Sequence, residues 1–118
     1  MLTILGLTLV STIVYHLNSR MNTVEFLPQA AEDLLAFKVY IQKIIRADIR
    51  TQLEEGDPRE ETRNKQHPLD PPSPFADYEL RVQKWRVFYW IEGETVVILR
   101  IGVKEKNRLR IGGEEIRL

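Results

Sequence analysis

Between Asp77 and Val103 three runs rich in β-branched and aromatic residues are separated by only two short polar interruptions, and that spacing leaves few folds open. Asp77–Val82, Trp85–Ile91 and Thr95–Val103 read as strands, with Gln83-Lys84 and Glu92-Gly93-Glu94 between them. Connections this short cannot hold a crossover, so neighbouring strands must run antiparallel. The third run, TVVILRIGV, is nearly continuous in apolar residues, as expected of a strand covered on both faces.

Upstream the period changes. Asn22–Leu27 alternates around Val24 and Phe26 and reads as a first strand, ended by Pro28. From Gln29 the apolar residues Leu34, Phe37, Ile41, Ile44, Ile45, Ile49 and Leu53 recur at spacings of three and four, which is one stripe of helix. Pro28 suits the first helical turn. Glu32 and Asp33 near the start complement the helix dipole. A break over Ala36–Val39, where Phe37, Val39 and Tyr40 have weaker helix propensity, would fold the run into a helical hairpin. Gly56-Asp57-Pro58 ends it. Arg59–Pro74 carries four prolines and reads as a stiffening polar loop. Lys104–Arg108 is expected to be a polar turn, and LRIGGEEIRL to close the chain with one short edge strand. The expectation is an α+β domain: an N-terminal strand, a long helix or helical hairpin, then a mainly antiparallel meander of three to four strands.

The 118 residues suffice for one domain with a modest core. Residues 1–20 differ from the rest: they are apolar from Leu2 to Leu17 and uncharged before Arg20. They read first as an extension upstream of a natural start at Met21, with a membrane anchor or signal and an accessory element as the other readings. The domain is therefore drawn as 21–118, cytoplasmic, with membrane contact only if residues 1–20 are a true anchor. Cysteine is absent, which removes disulfides, thiolate nucleophiles and cysteine zinc sites. The two histidines, His16 and His67, are far apart in sequence, so neither metal nor cofactor is expected. Formal net charge is zero, but Glu25–Glu61 holds five basic and nine acidic residues, whereas Arg81–Leu118 holds nine basic and five acidic. On charge alone this reads first as an amphipathic helix with a solvated acidic face, with an anion-facing C-terminal half as the other reading.

A two-residue turn at Gln83-Lys84 pairs Val82 with Trp85, Arg81 with Arg86, Leu80 with Val87 and Glu79 with Phe88. Like charges directly opposite each other destabilise a sheet, so this row needs an explanation. With a three-residue turn at Glu92–Glu94, Arg100 would fall opposite Arg86 and extend the row, with Lys104 on the same face. A phosphate would fit such guanidinium groups. Arg63, Lys65, Lys106 and Arg108 would widen the patch, and Trp85, Phe88 or Trp90 would offer a stacking face. The competing reading is that Glu79 and other carboxylates neutralise the row and its role is structural.

Three segments, VEFLPQAAEDLLAF at Val24–Phe37, YELRVQKWRVFYWI at Tyr78–Ile91 and VVILRIGVK at Val96–Lys104, together resemble the RelE/ParE superfamily of toxins from type II toxin–antitoxin systems. The resemblance runs from Met21 to about Glu115. It implies a cognate antitoxin as partner and one of two activities. RelE-like members cut mRNA on the ribosome, whereas ParE-like members inhibit DNA gyrase and are not nucleases. Ribosome-dependent mRNA cleavage without a metal is the leading expectation; a gyrase-directed toxin or a catalytically degenerate relative is the alternative. The resemblance puts Arg86 at a phosphate-contacting position and Lys104 where a second arginine is usual. Arg81, Arg86 and Lys104 are the expected catalytic cations, with Arg63, Lys65, Arg100, Lys106 and Arg108 gripping RNA. The tyrosine or histidine common near the C-terminal turn in RelE-like nucleases is missing from EKNRLRI.

Overall fold

A computed structural model of the chain describes residues 21–66, 76–106 and 108–116. The extension at residues 1–20, and with it the domain boundary at Met21, lies outside the described residues, as do His67 and the second half of the proline-rich loop. Seven strands form one sheet: β1 (Thr23–Phe26), β2 (Lys65–Gln66), β3 (Tyr78–Val82), β4 (Trp85–Glu92), β5 (Thr95–Glu105), β6 (Arg108–Ile111) and β7 (Glu114–Ile116). From β2 to β7 the strands lie in sequence order and antiparallel, while β1 runs parallel to β5. The class is α+β, as read from the sequence. The sheet exceeds the expected three to four strands because Lys65–Gln66 adds to one edge and the C-terminal run makes a β6–β7 hairpin instead of one edge strand. That hairpin turns at Gly112 and Gly113, both at positive φ, which glycine adopts without the Cβ penalty.

The helical stripe does divide. Helix α1 spans Pro28–Leu35 and α2 spans Val39–Ile49, continuing into a π-helical turn at Arg50–Glu54. No glycine or proline marks the break. The Gln42 side-chain amide secures it instead, donating to the carbonyls of Phe37 (2.8 Å) and Leu35 (3.4 Å) that the ending helix leaves open. Ala30, Leu34, Ile45, Ile49 and Leu53 pack on Leu80, Val82, Trp85, Val87, Tyr89, Val96, Ile98 and Ile101. The alternation of the strands thus directs Trp85, Val87 and Tyr89 to the helices. The other face buries a second cluster of Ala76, Phe88, Val97, Leu99, Leu109 and Ile111. Burial on both faces explains the continuous apolar run of β5.

One edge of β5 is shared. β1 pairs with Thr95–Ile98 and β6 with Gly102–Glu105, leaving Leu99–Ile101 without a strand partner on that side. The buried carboxylate of Asp33 in α1 occupies this gap. It accepts the Ile101 backbone N–H (3.0 Å) and two bonds from Arg100, Nε at 2.8 Å and Nη2 at 3.1 Å. An unpaired buried N–H would be costly, so one carboxylate stands in for a missing strand and ties α1 to the sheet. Burial of one member of a charge-assisted pair makes its removal expensive. Asp33→Ala is expected to lower stability by about 2–4 kcal/mol in urea unfolding, with Asp33→Asn, which still accepts from Ile101, falling between. Equal stability of all three would refute the bridging role.

Candidate functional site on the cationic face

The β3–β4 hairpin turns at Gln83-Lys84 with Gln83 at φ 56°, a left-handed conformation uncommon for a residue with a Cβ. The register is the one read from the sequence: Arg81 faces Arg86, Leu80 faces Val87 and Glu79 faces Phe88. Arg81 and Arg86 lie on the sheet face away from the helices. Glu79 sits between them on that face, with Oε1 3.5 Å from Arg81 Nε and Oε2 3.7 Å from Arg86 Nε. Its side chain is 12% exposed, against 13% for Arg86 and 42% for Arg81. Arg86 Nη1 donates to the Gln83 carbonyl (2.7 Å) and the Trp85 carbonyl (3.0 Å), while its buried Nε has no hydrogen-bond partner. Burial lowers the Arg86 pKa, Glu79 pushes it back up, and Arg81 lowers it again. The guanidinium is fixed in place by backbone carbonyls and holds one donor in reserve.

Arg100 is not in this row. The second turn has two residues, Gly93-Glu94, so Glu92 pairs with Thr95 and Ile91 with Val96. The register shifts between Phe88 and Tyr89, with Leu99 the extra residue of β5, so Phe88 faces Arg100 and Arg86 faces Gly102. Arg100 instead reaches Asp33, whose hydrogen bond raises its pKa. Lys104 does share the face of Arg86. It lies two residues past Gly102 and pairs with Leu109 of the second cluster, which puts it diagonal to Arg86.

The remaining expected RNA-binding residues scatter. Lys65 is 2% exposed and faces Leu80 in register, on the helix side. Its ammonium donates to the carbonyls of Asp57 (2.8 Å) and Gln52 (3.4 Å), closing the end of the π-helical turn, so it does not join the cationic face. Arg63 is exposed on its loop, and Lys106 is exposed in the β5–β6 turn at φ 57°. Arg108 is exposed and 3.9 Å from Glu115. Tyr89 is fully buried, stacks on Tyr78 and donates its hydroxyl to the Pro58 carbonyl at 2.8 Å. Both rings lie on the helix side, away from Arg86. A separate cavity of about 750 Å³ opens there too, over Phe37, Ile41, Trp85 and Val103, with Arg110 at its rim.

Arg81, Arg86, Lys104 and Glu79 therefore lie on one face, which Glu92 of β4 and Glu114, opposite Ile111 in register, share. The sequence reading had Glu79 only as a neutraliser, and it missed Asp33, whose partner is 67 residues away. Glu79→Gln removes the negative charge between two guanidinium groups. It should destabilise by about 1–3 kcal/mol, with inorganic phosphate restoring more stability to the variant than to the wild type. A variant as stable as the parent at low salt would show the arginines to be independent of Glu79. Burial raises the pKa of Tyr89, so the phenol stays protonated in the fold above pH 10, where the unfolded form ionises. Stability contributed by Tyr89 is therefore full below about pH 10 and falls as pH rises past it. Tyr89→Phe should flatten that alkaline limb in pH-dependent urea melts, and an unchanged slope would count against it.

A family model described as the ParE toxin of type II toxin–antitoxin system, parDE, matches residues 24–108. No curated protein matches the chain. Among the described residues no helix is long and apolar enough to cross a membrane, and no three His, Cys, Asp or Glu side chains gather as a metal site.

Proposed function

This chain belongs to the ParE toxin family, within the RelE/ParE superfamily of type II toxin–antitoxin toxins, and from the geometry of its cationic face we propose that it cleaves mRNA on the ribosome through Glu79, Arg81, Arg86 and Lys104, and is held silent by its cognate antitoxin in the cytoplasm. The observation that carries the reading is the carboxylate set between two guanidinium groups. Phosphodiester cleavage by a 2′-hydroxyl needs a base, cations for the phosphorane and a proton for the leaving group. Glu79 is the base. It takes the 2′-hydroxyl proton as the 2′-oxygen attacks phosphorus. Arg81 and Arg86 hold the non-bridging oxygens as their charge grows. The bond from phosphorus to the 5′-oxygen then breaks, and the Lys104 ammonium supplies the proton that oxygen needs. The products are a 2′,3′-cyclic phosphate and a free 5′-hydroxyl. The steps need no metal.

A second reading follows from the family match itself. As a ParE toxin the chain would inhibit DNA gyrase without cutting nucleic acid, and Glu79 would only neutralise the arginines. Primer extension on translating ribosomes separates the two. The whole chain should give cuts that Arg86→Ala reduces by roughly 100-fold or more and that Glu79→Gln also removes. A folded, growth-inhibiting protein that makes no cuts but blocks gyrase supercoiling would overturn the nuclease reading in favour of the second.

A further inference from the structure

We propose that Trp90 is a base-stacking platform of the cationic face, gripping a nucleotide a short way along the strand from the phosphate held at Arg86. The proposal rests on the nucleic-acid reading above and adds a residue to it. The large apolar side chains exposed among the described residues are Met21, Leu27, Leu35, Val39, Tyr40 and Trp90. The first five belong to the segments around β1 and the two helices. Trp90 alone lies in the antiparallel strands that carry the cations.

Its face follows from the alternation of β4. Trp85, Val87, Tyr89 and Ile91 join the core under the helices, so Arg86, Phe88 and Trp90 point the other way. The register agrees, because Trp90 pairs with Val97 of the second cluster. The extra residue at the irregularity is in β5, so β4 itself runs unbroken from Arg86 to Trp90. Four residues of strand put the two about 13 Å apart, within a few nucleotides' reach. Between them Phe88 is 3% exposed, so a nucleic-acid strand passes over a covered ring and meets aromatic surface again at Trp90.

The indole is 36% exposed. Tryptophan is highly buried on average, and this one stands open on the face of Arg81, Arg86 and Lys104. Single-stranded nucleic acid is held by such a pairing: cations track the backbone and aromatic faces stack the bases, without regard to base identity. An exposed tryptophan can equally anchor a protein partner. Around Arg86 three cations, Arg81, Arg86 and Lys104, meet the single carboxylate of Glu79 and favour the polyanion there. Glu92, next on that face and exposed, marks where the favourable track ends.

The test is a fluorescence titration of the full chain with a 2′-O-methyl oligouridine hexamer, which binds but cannot be cleaved. The protein has two tryptophans, and Trp85 is buried on the helix side, so Trp90 dominates any change on binding. Wild type should show quenching, and Trp90→Phe should bind within a few-fold of wild type with that quenching lost. Trp90→Ala, followed by anisotropy of a labelled hexamer, should weaken binding by roughly 5- to 150-fold, with the salt dependence unchanged because no phosphate contact is removed. If Trp90→Ala does not fold, the comparison of wild type with Trp90→Phe decides. Quenching that persists in Trp90→Phe, or Trp90→Ala binding as tightly as wild type while Arg86→Ala is weakened, overturns the platform and leaves the proposed function standing. A wild type that binds no hexamer at low salt overturns the platform, whereas the loss of cuts on translating ribosomes is what overturns the proposed function. Trp90→Ala losing its antitoxin while keeping RNA assigns the indole to a protein interface and overturns the platform.

Discussion

The carboxylate of Asp33 closes a gap where, among the described residues, the edge of β5 has no strand partner. β5 takes a parallel neighbour over its first residues and an antiparallel one over its last, on the same edge. The two patterns of hydrogen bonding cannot meet without a gap, and the gap leaves the buried Ile101 N–H without a strand partner. Asp33 fills it from α1 and holds Arg100 in the same stroke. The parallel placement of β1, the seating of α1 and the irregularity at Leu99 all converge on this carboxylate. So does the position of the C-terminal half of β5, which carries Gly102 and Lys104 against Arg86.

The cationic face is built on the part of the sheet that the helices leave alone. Two guanidinium groups opposite each other on adjacent strands are unfavourable unless a carboxylate intervenes, and Glu79 does so at ion-pair distances of 3.5 and 3.7 Å. Neither contact is tight enough to satisfy Arg86 Nε. The ion pairs offset the repulsion and leave the buried Arg86 Nε without a hydrogen bond. The same residues that offset a local repulsion supply the base and the cations of the proposed reaction.

Much of this was legible from local patterns. A two-residue interruption set the β3–β4 register, and with it the Arg81–Arg86 pairing, because hairpin length dictates pairing directly. The spacing of Leu34, Ile45, Ile49 and Leu53 marked the buried stripe of the helices. Other features had no local signal. Lys65 lies in a polar loop and reads as a surface cation, yet it caps the carbonyls of a helix end that lies 13 residues earlier. Asp33 reads as a complement to the helix dipole and proves to be the partner of β5. Gly112-Gly113 turns a final hairpin where the sequence pattern predicts a single edge strand.

The sequence by itself determined the α+β order of elements, the faces of the strands and the meeting of Arg81 with Arg86, because side-chain alternation and short turns act over a few residues. Only the tertiary structure decided where Arg100 points. One extra residue in β5 shifts the register at Phe88, and the reason for it lies across the sheet, where β1 and β6 compete for one edge and Asp33 enters between them. A period of two carries no record of that distant constraint, since a single inserted residue reassigns every pairing beyond it.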